Sequence, residues 1–300
     1  MLHARDRIAK SLIAYCGTRW PNATADYAFR IFSRTARPRG RVLAGGMPEG
    51  MEPLMLQTPS GLVATWHLPA EHPDGRKALL VHGWNSRSLH LLALAKSLNE
   101  QGIDAVLVDL PGHGASTGRH LHLGKGIAAV DAAWRHYGPF DTFIGHSFGG
   151  AVALNAALGS AMCIPARRPD TLVMIAAPNS MPAFFRWFGR RAGLPQAAQA
   201  ALERKVLTIL GQSLDLFVAS DQLKDYDRPV LVVHDMDDTD VLYADALRMA
   251  RAGRHVALHT TSGLGHRRVL KDPGVHAAVC DHVRGAARPD QPLALVEDCA

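Results

Sequence analysis

The sequence predicts an α/β protein: a mostly parallel central sheet with helices on both faces and a helical cap insertion. Three observations predict it. From residue 78 onward, short apolar runs alternate with amphipathic helical stretches, the pattern of strands buried on both faces and joined by crossover helices. That beat is broken once, between residues 179 and 228, by a gap far longer than the 2–6 residues usual in such connections. Finally, the 300 residues are 47% apolar and 20% charged, ordinary usage for a globular chain that excludes a disordered or fibrous one.

Taken in order, residues 1–50 form a basic N-terminal arm. Pro53 to Thr58 and Leu62 to His67 flank Pro59-Ser60-Gly61, which reads as a β-hairpin. The apolar run Ala78–Val81 precedes a helix over Ser88–Gln101, and Ala105–Val108 precedes one over Leu123–Tyr137. The next run, Asp141–Ile144, leads to a helix from Phe148 to Gly159, and Thr171–Ala176 closes the first part of the core. After the gap come the run Pro229–Val233, a helix over Val241–Ala252, the run Val256–Thr260 and a helix over Arg268–Val283. The core therefore spans 51–178 and 229–285. The cap spans 179–228, with a helix over Gln196–Leu210 and an aromatic knot at Phe184, Phe185, Trp187 and Phe188. The tail, 286–300, holds Pro289 and Pro292 and reads as loosely attached. Right-handed crossovers bring the loops after the parallel strands to one edge, where open α/β sheets bind ligands.

The net charge of +6 is uneven: residues 1–41 carry nine Arg or Lys against Asp6 and Asp26, and the remainder is nearly neutral. No nucleic-acid motif accompanies the basic arm, so no nucleic-acid partner is expected. Trp20, Tyr27, Phe29 and Phe32 interleave its charges. That pattern allows a weak membrane-surface contact, against the plainer reading that the aromatics pack the arm onto the body. Cys16, Cys163, Cys280 and Cys299 form no C-x-x-C pair, which argues against a disulfide framework and against a cysteine zinc site. No stretch approaches the ~20 apolar residues of a membrane span. Residues 1–20 lack the apolar core of a secretory signal, so the expected location is cytoplasmic.

Gly-x-Ser-x-Gly occurs twice, at Gly114–Gly118 and Gly145–Gly149. Ser147 directly follows an apolar strand and directly precedes a helix, the order a nucleophile elbow requires. Ser116 lies several residues past its strand with no helix behind it and reads as a loop residue. A serine hydroxyl needs a base oriented by a third group. His266, in the loop after the last strand, can return to Ser147, whereas His255, His259 and His276 lie beside or within the last strand and helix. For the acid, four aspartates follow Val233. Asp238 is preferred and Asp237 comes second; Asp235 sits too early, and Asp240 reads as an N-cap of the next helix. Phe148 N–H, at the helix start, and Trp84 N–H, in the loop after Val81, are the expected oxyanion donors.

His82-Gly83-Trp84, Asp109 to Ser116, Gly145 to Gly150, His234 to Asp238 and Gly265 to Arg268 occur in one order at sensible spacings. Across residues 54–284 the chain resembles the α/β-hydrolase family, and the arm segment Phe32–Arg39 is similar to the lead-in of bacterial members. The resemblance implies structural pinning roles for Asp109 and His113, and Asp235 stands where the family usually has Gly. It also associates dehalogenase and epoxide-hydrolase chemistry with an aspartate in place of Ser147. The expected activity is that of a carboxylesterase-like serine hydrolase, cleaving carboxylic or thioesters with Ser147, His266 and Asp238. No metal or organic cofactor is implied, and the partner is a small-molecule ester. Phe184, Trp187 and Phe188, with Arg186, Arg190 and Arg191 beside them, are the candidate substrate-binding residues. The alternatives are an acyltransferase or perhydrolase on the same triad, or a non-catalytic binding protein of this fold.

Overall fold

The computed structural model describes residues 2–36, 53–161 and 163–285. The tail from 286, the end of the arm, 37–50, and the first two residues of the core, 51–52, lie outside the described residues. The strands are β1 (Leu54–Thr58), β2 (Gly61–Leu68), β3 (Lys77–Val81), β4 (Asp104–Val108), β5 (Thr142–His146), β6 (Thr171–Ile175), β7 (Val230–Asp235) and β8 (Val256–Thr261). They form one eight-stranded sheet in the order β1-β2-β4-β3-β5-β6-β7-β8. β1 and β2 make the expected hairpin, β2 runs antiparallel to β4, and every later pairing is parallel.

The inner parallel strands, β3 to β7, are buried on both faces because their side chains alternate between two cores, whereas the edge strand β8 is largely half-exposed. Leu79, Val81, Val106, Val108, Leu172, Met174, Val230 and Val232 feed one core. Their neighbours Ala78, Leu80, Ala105, Leu107, Val173, Ile175, Leu231 and Val233 feed the other. Each fully buried leucine or valine contributes about 1.5–3 kcal/mol. Helix α3 (Leu92–Asn99), preceded by a 3₁₀ turn at Ser88–Leu91, covers the second face with α11 (Pro273–Gly285). Helices α4 (Leu123–Tyr137) and α5 (Phe148–Leu158) cover the first. All of Phe148 to Ala157 is buried, so α5 is enclosed all round, between the sheet and α4, with Asn155 as its buried polar residue.

Some elements depart from the sequence reading. The last helix begins at Pro273 rather than Arg268, because a residue before proline disfavours the α region. Asp272 Oδ1 caps the new start by accepting from Val275 N–H at 3.0 Å, and α10 (Gly265–Arg268) stands apart before it. Helix α9 (Tyr243–Ala250) begins two residues later than expected. The arm is helical, with α1 (Leu2–Arg19) and α2 (Pro21–Ser33), the second opened by a proline at its first turn. Between β6 and β7 lie α6 (Met181–Ala192), α7 (Gln196–Leu210) and α8 (Ala219–Gln222), with 3₁₀ turns at Leu214–Leu216 and Leu223–Asp225. The Ser180 hydroxyl accepts from Ala183 N–H at 3.1 Å and starts α6, and Gly193 ends it in the left-handed region. No described helix is long and apolar enough to cross a membrane.

Candidate active site

The β5–α5 junction makes a sharp turn at Ser147, whose φ of 54° and ψ of −125° leave the regions open to ordinary L residues. Such a conformation costs on the order of 1–3 kcal/mol. It is held by Ser147 N–H donating to Ile175 O at 2.8 Å and Gly150 N–H donating to Ser147 O at 2.9 Å. The turn closes only because its flanks lack side chains: a Cβ on Gly145 would overlap the Gly149 carbonyl, and one on Gly149 would overlap the Val81 carbonyl.

His266, on α10 just past β8, brings its Nε2 to 3.0 Å from Ser147 Oγ. Its Nδ1 lies 2.7 Å from Asp238 Oδ2. With Asp238 ionised, the imidazole proton sits on Nδ1 and leaves Nε2 to accept from the serine hydroxyl. Burial alone would raise the Asp238 carboxyl. Hydrogen bonds from His234, His266 and Val241 N–H outweigh it and hold Asp238 well below the ordinary carboxylate range. The backbone N–H groups of Asp240 and Val241 both donate to Asp238 Oδ1, at 2.8 and 2.9 Å. The exposed Asp240 is no N-cap, because α9 starts only at Tyr243 and its cap position falls on Leu242.

The other aspartates of this loop build its frame. Asp235 Oδ1 accepts from the N–H groups of Asp237 (3.0 Å) and Gly265 (2.9 Å), and Oδ2 from Thr261 Oγ1 (2.7 Å) and Leu264 N–H (3.0 Å). Asp237 Oδ2 accepts from Ser262 Oγ at 2.9 Å and Gly263 N–H at 2.8 Å. The residue where the family usually has Gly thus ties the end of β7 to the loop that carries His266. Sequence reasoning missed a further fixture, His146, the residue before Ser147. Its Nε2–H donates to His266 O at 2.8 Å, and the two rings lie 4.9 Å apart. Burial, and then the nearby His266, push His146 down to about 3, so it stays neutral. Its only signal in the sequence is its place inside Gly-His-Ser-Phe-Gly.

On the other side of Ser147, Gly83 approaches so closely that a Cβ there would stand 2.9 Å from Ser147 Cβ. The loop through Gly83, Trp84 and Asn85 is clamped by two histidines. His82 donates from Nδ1 to Gly83 O at 2.7 Å and accepts Leu110 N–H on Nε2 at 2.9 Å. Burial pushes it down to about 4. His113 accepts Asn85 N–H at 3.0 Å and donates to Pro111 O at 3.1 Å. Buried Asp109 receives Ser88 N–H and Oγ–H and Ala115 N–H, so it ties the loop after β4 to the loop after β3. Ser116 is a buried loop residue that donates to Asp109 O and accepts Ala64 N–H. The Trp84 and Phe148 rings meet edge to face at 5.3 Å.

Beside Trp84 and Phe148 opens an apolar cavity. Of the aromatic knot, Phe185 lines it. Phe184 (47% exposed) and Trp187 (51% exposed) instead stack on each other at 5.8 Å, and Phe188 packs on Phe32 at 4.9 Å. An amphipathic helix presents one face inward, and the docking of α6 selects Phe185. Arg186 makes no cationic rim, because Glu203 and Asp215 pair with it; Arg190 and Arg191 are exposed. Among the described residues no group of His, Cys, Asp or Glu could hold a metal ion.

No curated protein matches the sequence. Solved structures do match in fold. Est1E of Butyrivibrio proteoclasticus, solved with ferulic acid bound, is 19% identical with a TM-score of 0.59, over 77% of this chain and 96% of that one. The esterase domain of a Rhodothermus marinus protein is 24% identical with a TM-score of 0.54, over 79% and 96%. The α/β serine hydrolase without lid from Xanthomonas campestris is 19% identical with a TM-score of 0.55, over 82% and 99%. The profile described as Alpha/beta hydrolase family matches residues 78–279, which hold the elbow, the β7 loop and α10. With that match over two thirds of its length, on a sheet of this order, the chain belongs to the α/β-hydrolase family.

Proposed function

We propose that this chain is a serine hydrolase that cleaves carboxylic esters, thioesters included, through an acyl-enzyme. The observation that supports it is the unbroken hydrogen-bonded line from Ser147 Oγ through His266 to Asp238. In the first half-reaction Ser147 Oγ attacks the acyl carbon while its proton passes to His266 Nε2, and Asp238 stabilises the imidazolium that results. The carbonyl oxygen becomes an oxyanion held by the N–H groups of Trp84 and Phe148, the latter aided by the positive end of α5. As the tetrahedral adduct collapses, the bond to the leaving alkoxide or thiolate breaks and that group takes the proton from Nε2. Water then attacks the acyl carbon and yields its proton to Nε2. Ser147 Oγ leaves as it is reprotonated, and a carboxylic acid departs. The likeness to Est1E, which binds ferulic acid, favours the acyl class of substrate.

Rapid mixing with p-nitrophenyl butyrate tests this. A burst of about one nitrophenol per enzyme is expected, together with a butyryl group mapped to Ser147 by mass spectrometry. Wild type without acylated Ser147, or Ser147→Ala retaining more than about a tenth of wild-type kcat, would overturn the proposal.

A further inference from the structure

The N-terminal arm, basic in sequence, is woven into the site. Along α2, Ala25, Ala28, Phe29 and Phe32 recur at helical spacing, and the first three are buried. Asp26 accepts from Lys205 of α7 at 2.6 Å, and the same ammonium lies 5.6 Å from the Phe29 ring. Beyond α2 the chain is stitched to the loop before α4. Leu121 N–H donates to Ser33 O at 2.8 Å, Thr35 N–H donates to Arg119 O at 3.0 Å, and Ser33 Oγ pairs with His120 Nδ1 at 3.1 Å. The last stitch reaches the oxyanion loop itself: Ala36 N–H donates to Asn85 Oδ1 at 3.1 Å, one residue past Trp84.

Phe32 stands where these parts meet. Its ring centre is 6.1 Å from Trp84, 4.5 Å from Phe185 and 4.9 Å from Phe188. Phe29 and Phe32 line the cavity with Trp84, Phe148, Phe185 and Leu210. The one ionisable group in that lining is His122, which burial first and Lys125 second push down to about 4, leaving it neutral. This wall lies outside the family match, which begins at residue 78.

We infer that α2 forms a wall of the acyl pocket and that Phe32 sets which acyl group fits: a neutral, apolar chain whose far end meets its ring. This rests on the hydrolase reading for the position of the reacting carbonyl. A carboxylate on the far end would be buried without a partner, so charged acyl groups are rejected. Such a wall acts on discrimination between substrates, and one methylene in an apolar pocket is worth about 10–200-fold.

The test is kcat/KM for p-nitrophenyl acetate, butyrate, octanoate and decanoate with full-length wild type, Phe32→Ala, Phe32→Leu and Phe32→Trp. The decanoate-to-acetate ratio is expected to rise about tenfold or more in Phe32→Ala, less in Phe32→Leu, and to fall in Phe32→Trp. A residue that only supports the fold would lower all esters together. Ratios within about twofold of wild type in all three variants would overturn the inference. Binding of octan-1-ol, read by saturation-transfer NMR, follows the pocket without turnover. Binding that changes with Phe32 while no ester is hydrolysed would sink the hydrolase reading and keep the wall. Binding and ratios both indifferent to Phe32 would sink the wall and leave the hydrolase reading standing.

Discussion

Replacing Asp238 by Asn tests the alignment of the base at almost constant shape. One oxygen remains to accept the N–H groups of Asp240 and Val241, now at 2.8 and 2.9 Å, so the turn into α9 survives. The amide NH₂ then faces His266 Nδ1, which stands 2.7 Å from Asp238 Oδ2. Two donors cannot share that contact, so the imidazole shifts its proton to Nε2. That nitrogen can no longer take the proton of Ser147 Oγ, 3.0 Å away. The loss of the buried negative charge removes the stabilisation of the imidazolium as well. A fall in kcat of about 10³–10⁴ is expected, equivalent to about 4–5.5 kcal/mol of barrier. Steady-state hydrolysis of p-nitrophenyl butyrate measures it, with circular dichroism to show the fold retained. Asp237→Asn is the control, because among the described residues that carboxylate accepts only from Ser262 and Gly263; a loss below about tenfold is expected there. The reasoning is refuted if Asp238→Asn keeps more than about a tenth of wild-type kcat, or if Asp237→Asn loses as much.

His146→Ala removes the donor to His266 O, and kcat should fall about tenfold to a hundredfold with little change in KM; an unchanged kcat would remove His146 from the positioning of His266. Asp235→Ala strands four donors around the β7 end and the loop before His266 and should destabilise by about 2–4 kcal/mol in urea denaturation; a shift below about 1 kcal/mol would contradict its bracing role. Acid should weaken the fold early. Burial holds His146 at about 3 and His82 and His122 at about 4, against 6.5 when unfolded. Between those values the unfolded chain takes up protons that the folded chain refuses, so stability present above pH 6.5 is lost as pH falls. Each site adds about 1.4 kcal/mol per pH unit. His146→Gln should flatten the slope between pH 4 and 6 by that amount, and an unchanged slope would contradict the assignment.

The core was legible in the sequence because its physics is local. Runs such as Ala78–Val81 and Leu172–Ile175 are apolar throughout since both faces of the sheet are covered. Ser147 stands out because an elbow needs glycine on both flanks. Tertiary placement is less legible. Asp240 looks like a helix cap until the turn around the Asp238 carboxylate delays the start of α9 to Tyr243. Phe184 and Trp187 look like pocket residues until the docking of α6 turns Phe185 inward instead. The arm drew attention by its charge, yet the information lay in the spacing of Ala25, Ala28, Phe29 and Phe32, one face of an amphipathic helix with a groove to fill. His146 carries no periodic signal at all; only the return of residue 266 to the elbow gives it a partner.

The whole account rests on Ser147 being the one hydroxyl activated for attack. Intact-mass analysis and peptide mapping after treatment with a fluorophosphonate measure that directly. One adduct per chain is predicted, on Ser147, slowed by orders of magnitude in His266→Ala. No adduct on wild type, or an adduct on Ser116 or another serine that persists in Ser147→Ala, would contradict it.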